Sequence, residues 1–201
     1  MLLTEKQLIA RIRAHGRGFV FTSKLFTSIT NDSASTRTAL TRLVQKKSIR
    51  RLSHGLYDLP VIHPTLGPVM PSTDKIISAV KASEAIEVQP TGAYAANLLG
   101  LSSQIPMKIE LYTNGSKKVI NIGNQEIILK PTTQKNMIGA GTKAGLILHA
   151  LRQIGKENVT HEMIETIKTQ LEEKDFKHIK KQIPYAPFWI ANIMRSLINE
   201  D

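Results

Sequence analysis

The 201-residue chain contains no cysteine, and aromatic residues make up only 5% of it. The missing thiols exclude disulfides, thiolate nucleophiles and zinc–thiolate sites, and they favour a reducing compartment. No apolar run approaches the roughly 20 residues that cross a bilayer, so we expect a cytoplasmic protein without a membrane partner. The shortage of aromatic residues disfavours single-stranded RNA binding, which depends on exposed rings that stack on bases.

Sequence motifs of catalysis and cofactor binding are also scarce. The glycine-rich segment 139–145, GAGTKAG, fits neither GxGxxG nor GxxxxGK[ST], so a loop that ends at a helix start is favoured over a phosphate site. The six histidines are scattered without the spacing of metal ligands, and no GxSxG motif is present. The sequence therefore predicts no enzyme, no metal site and no cofactor.

Acidic residues are rare in the first sixty positions, where most of the positive charge lies. The whole chain carries a net charge of +11. Residues 1–60 contain 11 Lys and Arg against three acidic residues, a net charge of +8, and the remaining 141 residues carry only +3. A localised basic segment of this kind is typical of a protein that binds a polyanion such as nucleic acid.

Within this basic segment, the pattern of apolar residues and turn residues predicts a winged helix-turn-helix. A first helix ends at His15-Gly16, a short strand covers 19–21, and a second helix runs through Leu25, Phe26 and Ile29. The breaker Asn31-Asp32-Ser33 caps a third helix over about 34–46. Two β-prone runs, 49–52 and 56–59, are joined by a Ser-His-Gly turn and form the wing.

The third helix is amphipathic and is the predicted reading element for duplex DNA. Its outer face carries Ser, Thr, Gln, Arg and Lys but no carboxylate of its own, which suits base edges and phosphate oxygens. We expect Ser35, Thr38 and Arg42 to read the major groove. His54 adds a mostly neutral side chain at the wing. We expect phosphate contacts from five residues: Arg37, Lys46, Lys47, Arg50 and Arg51.

The chain resembles the AbiEi family of antitoxins and transcriptional regulators from abortive-infection type IV toxin-antitoxin systems. One matching stretch contains Ser35, Leu40, Leu43, Lys46, Ile49, Arg51-Leu52 and Gly55-Leu56-Tyr57. A second contains Pro90-Thr91-Gly92, Tyr94-Ala95, Leu99-Gly100-Leu101-Ser102, Gln104 and Pro106, and the last helix contains Ala186-Pro187 and Trp189-Ile190. His54 departs from the arginine or lysine that commonly precedes the wing glycine in that family.

The resemblance implies a transcriptional repressor of its own operon that binds repeated operator sites in double-stranded DNA. It also implies a role in phage defence, in which the protein antagonises a nucleotidyltransferase-like toxin encoded beside it without necessarily binding that toxin. In this scheme the C-terminal domain carries the antagonism.

The fold class predicted from the whole sequence is α+β, with a DNA-binding domain over 1–62 and a second domain over 71–201. The Pro-rich segment between them reads as a linker or an ordered crossover loop. Three β-prone runs at 109–112, 119–122 and 127–129 predict a small antiparallel meander, and helical spacing from Lys143 onward predicts a helical end.

Two other functions fit the same residues. The winged helix could serve as a scaffold for an acidic protein partner, and the chain could be a catalytic antitoxin that modifies its toxin covalently. The sequence does not fix the operator sequence, the oligomeric state or an effector of the second domain.

Overall fold

The computed structural model describes residues 3–27, 32–104 and 106–198, and the chain divides into two compact units, Met1–Ala85 and Ile86–Asp201. Ile29 and Asn31, which the sequence assigns to a second helix and to its breaker, lie outside the described residues. Each unit has its own apolar core.

The described elements of the first unit begin with helix α1 and end with helix α3. Their bounds are α1 Leu3–Ala14, β1 Val20–Thr22, a 3₁₀ helix Ser23–Phe26, α2 Ser33–Gln45, β2 Arg50–Ser53, β3 Leu56–Asp58, β4 Val61–His63, β5 Gly67–Val69 and α3 Thr73–Glu84. Strands β1, β3 and β2 form an antiparallel sheet in that order, and β4 pairs with β5.

Helix α2 forms where the sequence predicted a third helix. Asp32 is its N-cap, and the Asp32 carboxylate accepts hydrogen bonds from the backbone N–H groups of Ala34 and Ser35 at 3.0 and 2.8 Å. These two bonds satisfy amide groups that the first helical turn would otherwise leave without partners. The apolar face of α2, with Leu40 and Leu43 fully buried, packs against α1.

The core of the first unit joins the two helices to the three-stranded sheet. It is built from buried residues of α1, β1, α2 and β3 and their neighbours: Leu8, Ile9, Ile12, Phe21, Phe26, Ala39, Leu40, Leu43, Ile49, Tyr57 and Leu59. Burying side chains of this size stabilises the unit by roughly 1.5 to 3 kcal/mol each, before the entropy cost of ordering the chain.

Residues 61–85 belong to the first compact unit, whereas the sequence analysis placed a boundary between 62 and 71. The segment predicted as a linker or an ordered crossover loop contains a hairpin, β4–β5, whose Val69 carbonyl accepts a hydrogen bond from Arg50 Nη2 at 2.8 Å. Helix α3 packs against β1, and the Thr22 hydroxyl donates to Ser83 Oγ at 2.6 Å. These contacts tie α3 to the first unit.

The second unit combines a four-stranded sheet with a helical C-terminal end. Its elements are β6 Val88–Pro90, α4 Gly92–Leu98, β7 Lys108–Thr113, β8 Lys118–Ile122, β9 Gln125–Pro131, α5 Gln134–Met137, α6 Lys143–Ile154, a 3₁₀ helix Lys156–Asn158, α7 His161–Thr169, α8 Glu173–Gln182, a 3₁₀ helix Ile183–Tyr185 and α9 Phe188–Leu197. The central helix α6 packs against α4, α8 and α9.

The predicted meander is wrong in its central pair. The strand order is β6-β7-β9-β8, and β7 runs parallel to β9, although the outer pairs β6/β7 and β8/β9 are antiparallel. Strand β8 lies at one edge of the sheet. Strand β9 pairs on one side with β8, with which it forms a hairpin, and on the other side with β7. The short strand β6, which the apolar pattern did not reveal, completes the other edge.

At the level of fold class, the structure agrees with the sequence. The protein is a mixed α+β structure with small antiparallel pairings and a helical C-terminal end. Among the helices that the structure describes, none has the length and apolar character needed to cross a membrane.

Candidate nucleic-acid interface

The outer face of α2 is polar and exposed along its length. Because Leu40 and Leu43 face the core, helical geometry places Thr38, Thr41 and Gln45 on the opposite side, and all three are exposed. Thr38 and Gln45 belong to the polar face that the periodicity predicted, and Thr41, predicted on its flank, lies on the same exposed side. The Thr41 hydroxyl donates to the Arg37 carbonyl at 2.9 Å, which leaves its oxygen lone pairs and methyl group toward solvent.

Ser35 has a capping role at the start of this face. Its hydroxyl donates to Asp32 Oδ2 at 2.8 Å, so the proton of that hydroxyl is already used within the protein. Hydrogen bonds from the Ala34 amide, the Ser35 hydroxyl and the Ser35 amide hold the pKa of Asp32 below its ordinary value, with a smaller effect from the charge of Arg37. Arg37 itself is exposed on the flank of the helix.

On the other flank, α1 supplies a carboxylate that the periodicity of α2 could not reveal. The Glu5 side chain is only 2% exposed, and Glu5 Oε2 accepts a hydrogen bond from Lys46 Nζ at 2.5 Å. Arg42 Nη1 lies 3.7 Å from Glu5 Oε1. The hydrogen bond from Lys46 is the largest cause of the lowered pKa of Glu5, so this carboxylate is ionised at neutral pH. The face is therefore less positive on this side than its own residues suggest.

Helix α2 ends in a Schellman motif that has lysine at the position where glycine is usual. Lys47 adopts a left-handed conformation with φ of 54° and is exposed. The Ser48 amide donates to the Leu43 carbonyl at 3.0 Å, and the Lys47 amide donates to the Val44 carbonyl at 2.9 Å. A non-glycine residue costs roughly 1 kcal/mol in this conformation, and here it carries a positive charge beyond the helix end.

The predicted hairpin is present, but its two arginines have different surroundings. Arg50 donates Nε to Asp58 Oδ1 at 3.0 Å and Nη2 to Asp58 Oδ2 at 2.6 Å, with Asp58 only 1% exposed. A bidentate pair to a buried carboxylate holds β2 to β3, so the structure gives Arg50 a structural role. The predicted phosphate contact from Arg50 is therefore not supported by its geometry.

Arg51 is exposed on the opposite side of strand β2. Arg51 Nη2 lies 3.2 Å from His54 Nδ1, and Arg51 Nε lies 3.4 Å from the Ser53 carbonyl. Because a guanidinium can only donate, His54 Nδ1 is the acceptor in this contact. Gly55, with φ of 71°, then reverses the chain, so Arg51 and His54 project together at the tip of the hairpin.

The nine predicted residues therefore fall into three groups. Arg37, Thr38, Lys47, Arg51 and His54 are exposed and available to a ligand. Arg42 and Lys46 are exposed but lie against Glu5, while Ser35 caps a helix and Arg50 pairs with buried Asp58. No cluster of three His, Asp or Glu that could hold a metal ion occurs among the described residues.

Comparison with known proteins places most of the chain in one family. A family model described as "Family of unknown function (DUF6088)" matches residues 7–179, which include most of both compact units. No curated protein matches the chain. The family description names no activity, so the resemblance to AbiEi antitoxins stays a prediction.

Proposed function

The chain belongs to the DUF6088 family, and we propose that it is a duplex-DNA-binding transcriptional regulator whose first unit is a winged helix-turn-helix. Helix α2 is the reading helix in this proposal, and the β2–β3 hairpin is the wing that lies along the phosphate backbone.

The order of the elements supports this assignment. Helix α1, strand β1, a 3₁₀ turn, helix α2 and the β2–β3 hairpin follow one another, and β1 pairs with β3 in one small sheet. A helix that follows a polar turn and precedes a hairpin is the element that enters the major groove in winged-helix proteins. The capped N-terminus of α2 further provides a rigid start for such a helix.

The observation that carries the proposal is the exposed face of α2. Thr38, Thr41 and Gln45 offer hydroxyl and amide groups that can bond to base edges, and Arg37 stands beside them. The first unit, Met1–Ala85, carries a net charge of +8, whereas the second carries +3. The charge is thus concentrated on the unit that presents this face, where it attracts DNA phosphates.

The biological role that fits this activity is that of an antitoxin of a type IV toxin-antitoxin system. The protein represses its own operon through the first unit, and the second unit antagonises a nucleotidyltransferase-like toxin. This part of the proposal depends on the resemblance to AbiEi antitoxins. Co-expression with a nucleotidyltransferase encoded beside the gene tests it, and a chain that gives no protection would contradict it.

DNA binding is tested with the full chain and duplexes from its own upstream region. If about five phosphates are contacted, the logarithm of the association constant falls linearly with the logarithm of the salt concentration, with a slope of about −4 to −5. Arg51→Ala reduces the slope by about one, and Lys156→Ala, an exposed change in the second unit, leaves it unaltered. A binding constant that does not respond to salt rejects the proposal.

A further inference from the structure

The second unit contains a cleft of about 690 Å³ at the start of helix α6. Helix α8 contributes one wall, and the loop before α6 contributes another. We name it the Gln182 cleft after its most buried polar residue. Its lining includes Met137, Ile138, Gly139, Thr142, His178, Lys181 and Gln182. Its volume is in the range of small-molecule sites.

Gln182 is the unusual residue of this cleft. It is 1% exposed, and within the described residues neither its amide Nε2 nor its Oε1 has a hydrogen-bond partner. Buried amide groups in folded proteins almost always have partners, because the loss of hydration is otherwise uncompensated. A side chain that lines a cleft with both a donor and an acceptor unused is suited to a ligand that presents an acceptor and a donor side by side.

The glycine-rich loop comes close to this amide. A Cβ atom added to Gly139 would lie 2.5 Å from Gln182 Oε1, and Gly139 has a φ of 78°, so glycine is favoured at this position. The loop leads into the 12-residue helix α6, whose N-cap Thr142 also lines the cleft. The first turn of a helix presents N–H groups and a partial positive charge that favour a phosphate, although in α6 the Gly145 amide already donates to the Thr142 hydroxyl at 3.3 Å.

The rest of the lining contains polar, charged and apolar groups, including the acidic residue Glu87. His178 and Lys181 are exposed on α8, and Lys181 places a permanent positive charge at the rim. Met137 and Ile138 are half-buried and provide an apolar surface against which a flat ring can pack. The cleft thus combines an amide, a cation, a helix start and an apolar wall.

We propose that the Gln182 cleft binds a nucleoside phosphate. The Gln182 carboxamide pairs with the edge of the base, as glutamine does with adenine in nucleic-acid recognition. The base packs on Met137 and Ile138, and the phosphate is held by the loop before α6 together with Lys181. The nucleoside phosphate would bind residues of the second unit, whereas the proposed DNA-binding face of α2 belongs to the first unit.

The experiment measures binding of the full chain to AMP, GMP, CMP, UMP and inorganic phosphate by calorimetry and by thermal shift, without DNA. At least one nucleotide binds and raises the melting temperature. Gln182→Leu weakens that binding roughly tenfold or more, because the paired hydrogen bonds to the base are lost. Lys181→Ala weakens it as well, and Lys177→Ala, an exposed lysine of the same helix outside the cleft, does not.

The stability of the unliganded variant separates a ligand site from a structural role. Gln182→Leu removes an unpartnered buried amide at similar volume, so the melting temperature without ligand stays unchanged or rises. The proposal is overturned by absence of nucleotide binding, or by inorganic phosphate binding as tightly as every nucleotide. A lower melting temperature with unchanged nucleotide affinity overturns it too. If Gln182→Leu does not fold, Lys181→Ala decides: wild-type nucleotide affinity in that variant rejects the site.

Discussion

The carboxylate of Glu5 on α1 accepts a hydrogen bond from Lys46 Nζ of α2 at 2.5 Å, and Glu5 is almost fully buried. The same carboxylate lies 3.7 Å from the Arg42 guanidinium. One residue of the first helix thus restrains two of the cations that the proposed DNA-binding face presents. The interaction stabilises the contact between the helices and at the same time lowers the positive charge available to a phosphate.

Glu5→Gln is expected to strengthen DNA binding while it destabilises the first unit. The neutral amide keeps the size of the side chain but frees the charges of Lys46 and Arg42, so affinity for any duplex rises and the salt slope steepens by about one. Fluorescence anisotropy with specific and scrambled duplexes measures the first effect, and thermal unfolding measures the second.

A control for this change is Glu157→Gln, which removes one exposed negative charge from the second unit. It should leave affinity and stability near their original values. Equal gains in affinity from Glu5→Gln and Glu157→Gln would show that only net charge matters, and would contradict the local role of Glu5.

The two neighbouring arginines of β2 should give opposite phenotypes. Arg50→Ala breaks a bidentate pair with Asp58, which is 1% exposed, and should cost about 3 kcal/mol of unfolding free energy. Arg51→Ala should leave stability within about 0.5 kcal/mol but weaken specific and random duplexes alike. Urea unfolding measures the loss of stability expected for Arg50→Ala, and DNA binding at two salt concentrations measures the loss of affinity expected for Arg51→Ala. Loss of affinity in a stable, folded Arg50→Ala protein would restore the phosphate role predicted for Arg50 from the sequence.

Lys47→Gly should stabilise the protein and weaken its binding to DNA. Lys47 has a φ of 54°, which glycine adopts without the cost that a side chain incurs, so the unfolding free energy should rise by up to about 1 kcal/mol. The removed charge should lower the salt slope of DNA binding by about one. Lys47→Asn is the matched control, because asparagine tolerates this conformation and is also neutral. A gain in stability without loss of affinity would exclude Lys47 from the interface.

Local sequence signals were sufficient to predict several of the elements, although they missed strand β6 and the β4–β5 hairpin. The cap at Asp32, the apolar spacing of Leu40 and Leu43, and the turn at Gly55 each act over a few residues, and the structure confirms the helix and the hairpin that they predicted. The exposed face of α2 follows from the same periodicity, which already placed Thr38 and Gln45 on it and Thr41 on its flank.

Long-range pairings were not accessible in this way. Glu5 and Lys46 are separated by 41 residues along the chain, so no local pattern indicates that this lysine and Arg42 lie beside a carboxylate. Asp58 was counted as a charge, although its register opposite Arg50 makes it the partner of that arginine. The parallel pairing of β7 with β9 likewise depends on strand order, which three similar β-prone runs leave open.

The second unit should lose stability in mildly acidic solution because of His149. Burial is the largest cause that holds the pKa of His149 below its ordinary value, and the side chain is 2% exposed beside the ring of Tyr112. Below about pH 6.5 the unfolded chain binds a proton that the folded unit does not, so unfolding becomes easier as the pH falls. The slope for one proton is at most about 1.4 kcal/mol per pH unit.

Fluorescence of the single tryptophan, Trp189, which is partly buried against the core of the second unit, reports on this unit during urea unfolding. Measurements between about pH 5 and 7.5 should show the loss, and His149→Gln should flatten it because no proton is taken up there on unfolding. An unchanged pH dependence in that variant would assign the effect to other groups.

The final prediction concerns whether Arg42 reads a base. If Arg42 makes a bidentate contact to guanine, Arg42→Ala should cost roughly 1 to 3 kcal/mol of binding free energy on the specific site and little on random DNA. The guanidinium must leave Glu5 to do so, and its side chain is 45% exposed, which gives it room to move. In a Glu5→Gln background this restraint is gone, so the loss caused by Arg42→Ala on the specific site should be larger than in the original protein.

Thr38→Ala is the companion change at the centre of the face and should lower specificity without altering the salt slope. Binding of the four variants to operator and scrambled duplexes at two salt concentrations completes the test. If Arg42→Ala lowers both affinities equally, Arg42 contacts only phosphate; if both Arg42→Ala and Thr38→Ala leave specificity intact, α2 is not the reading helix.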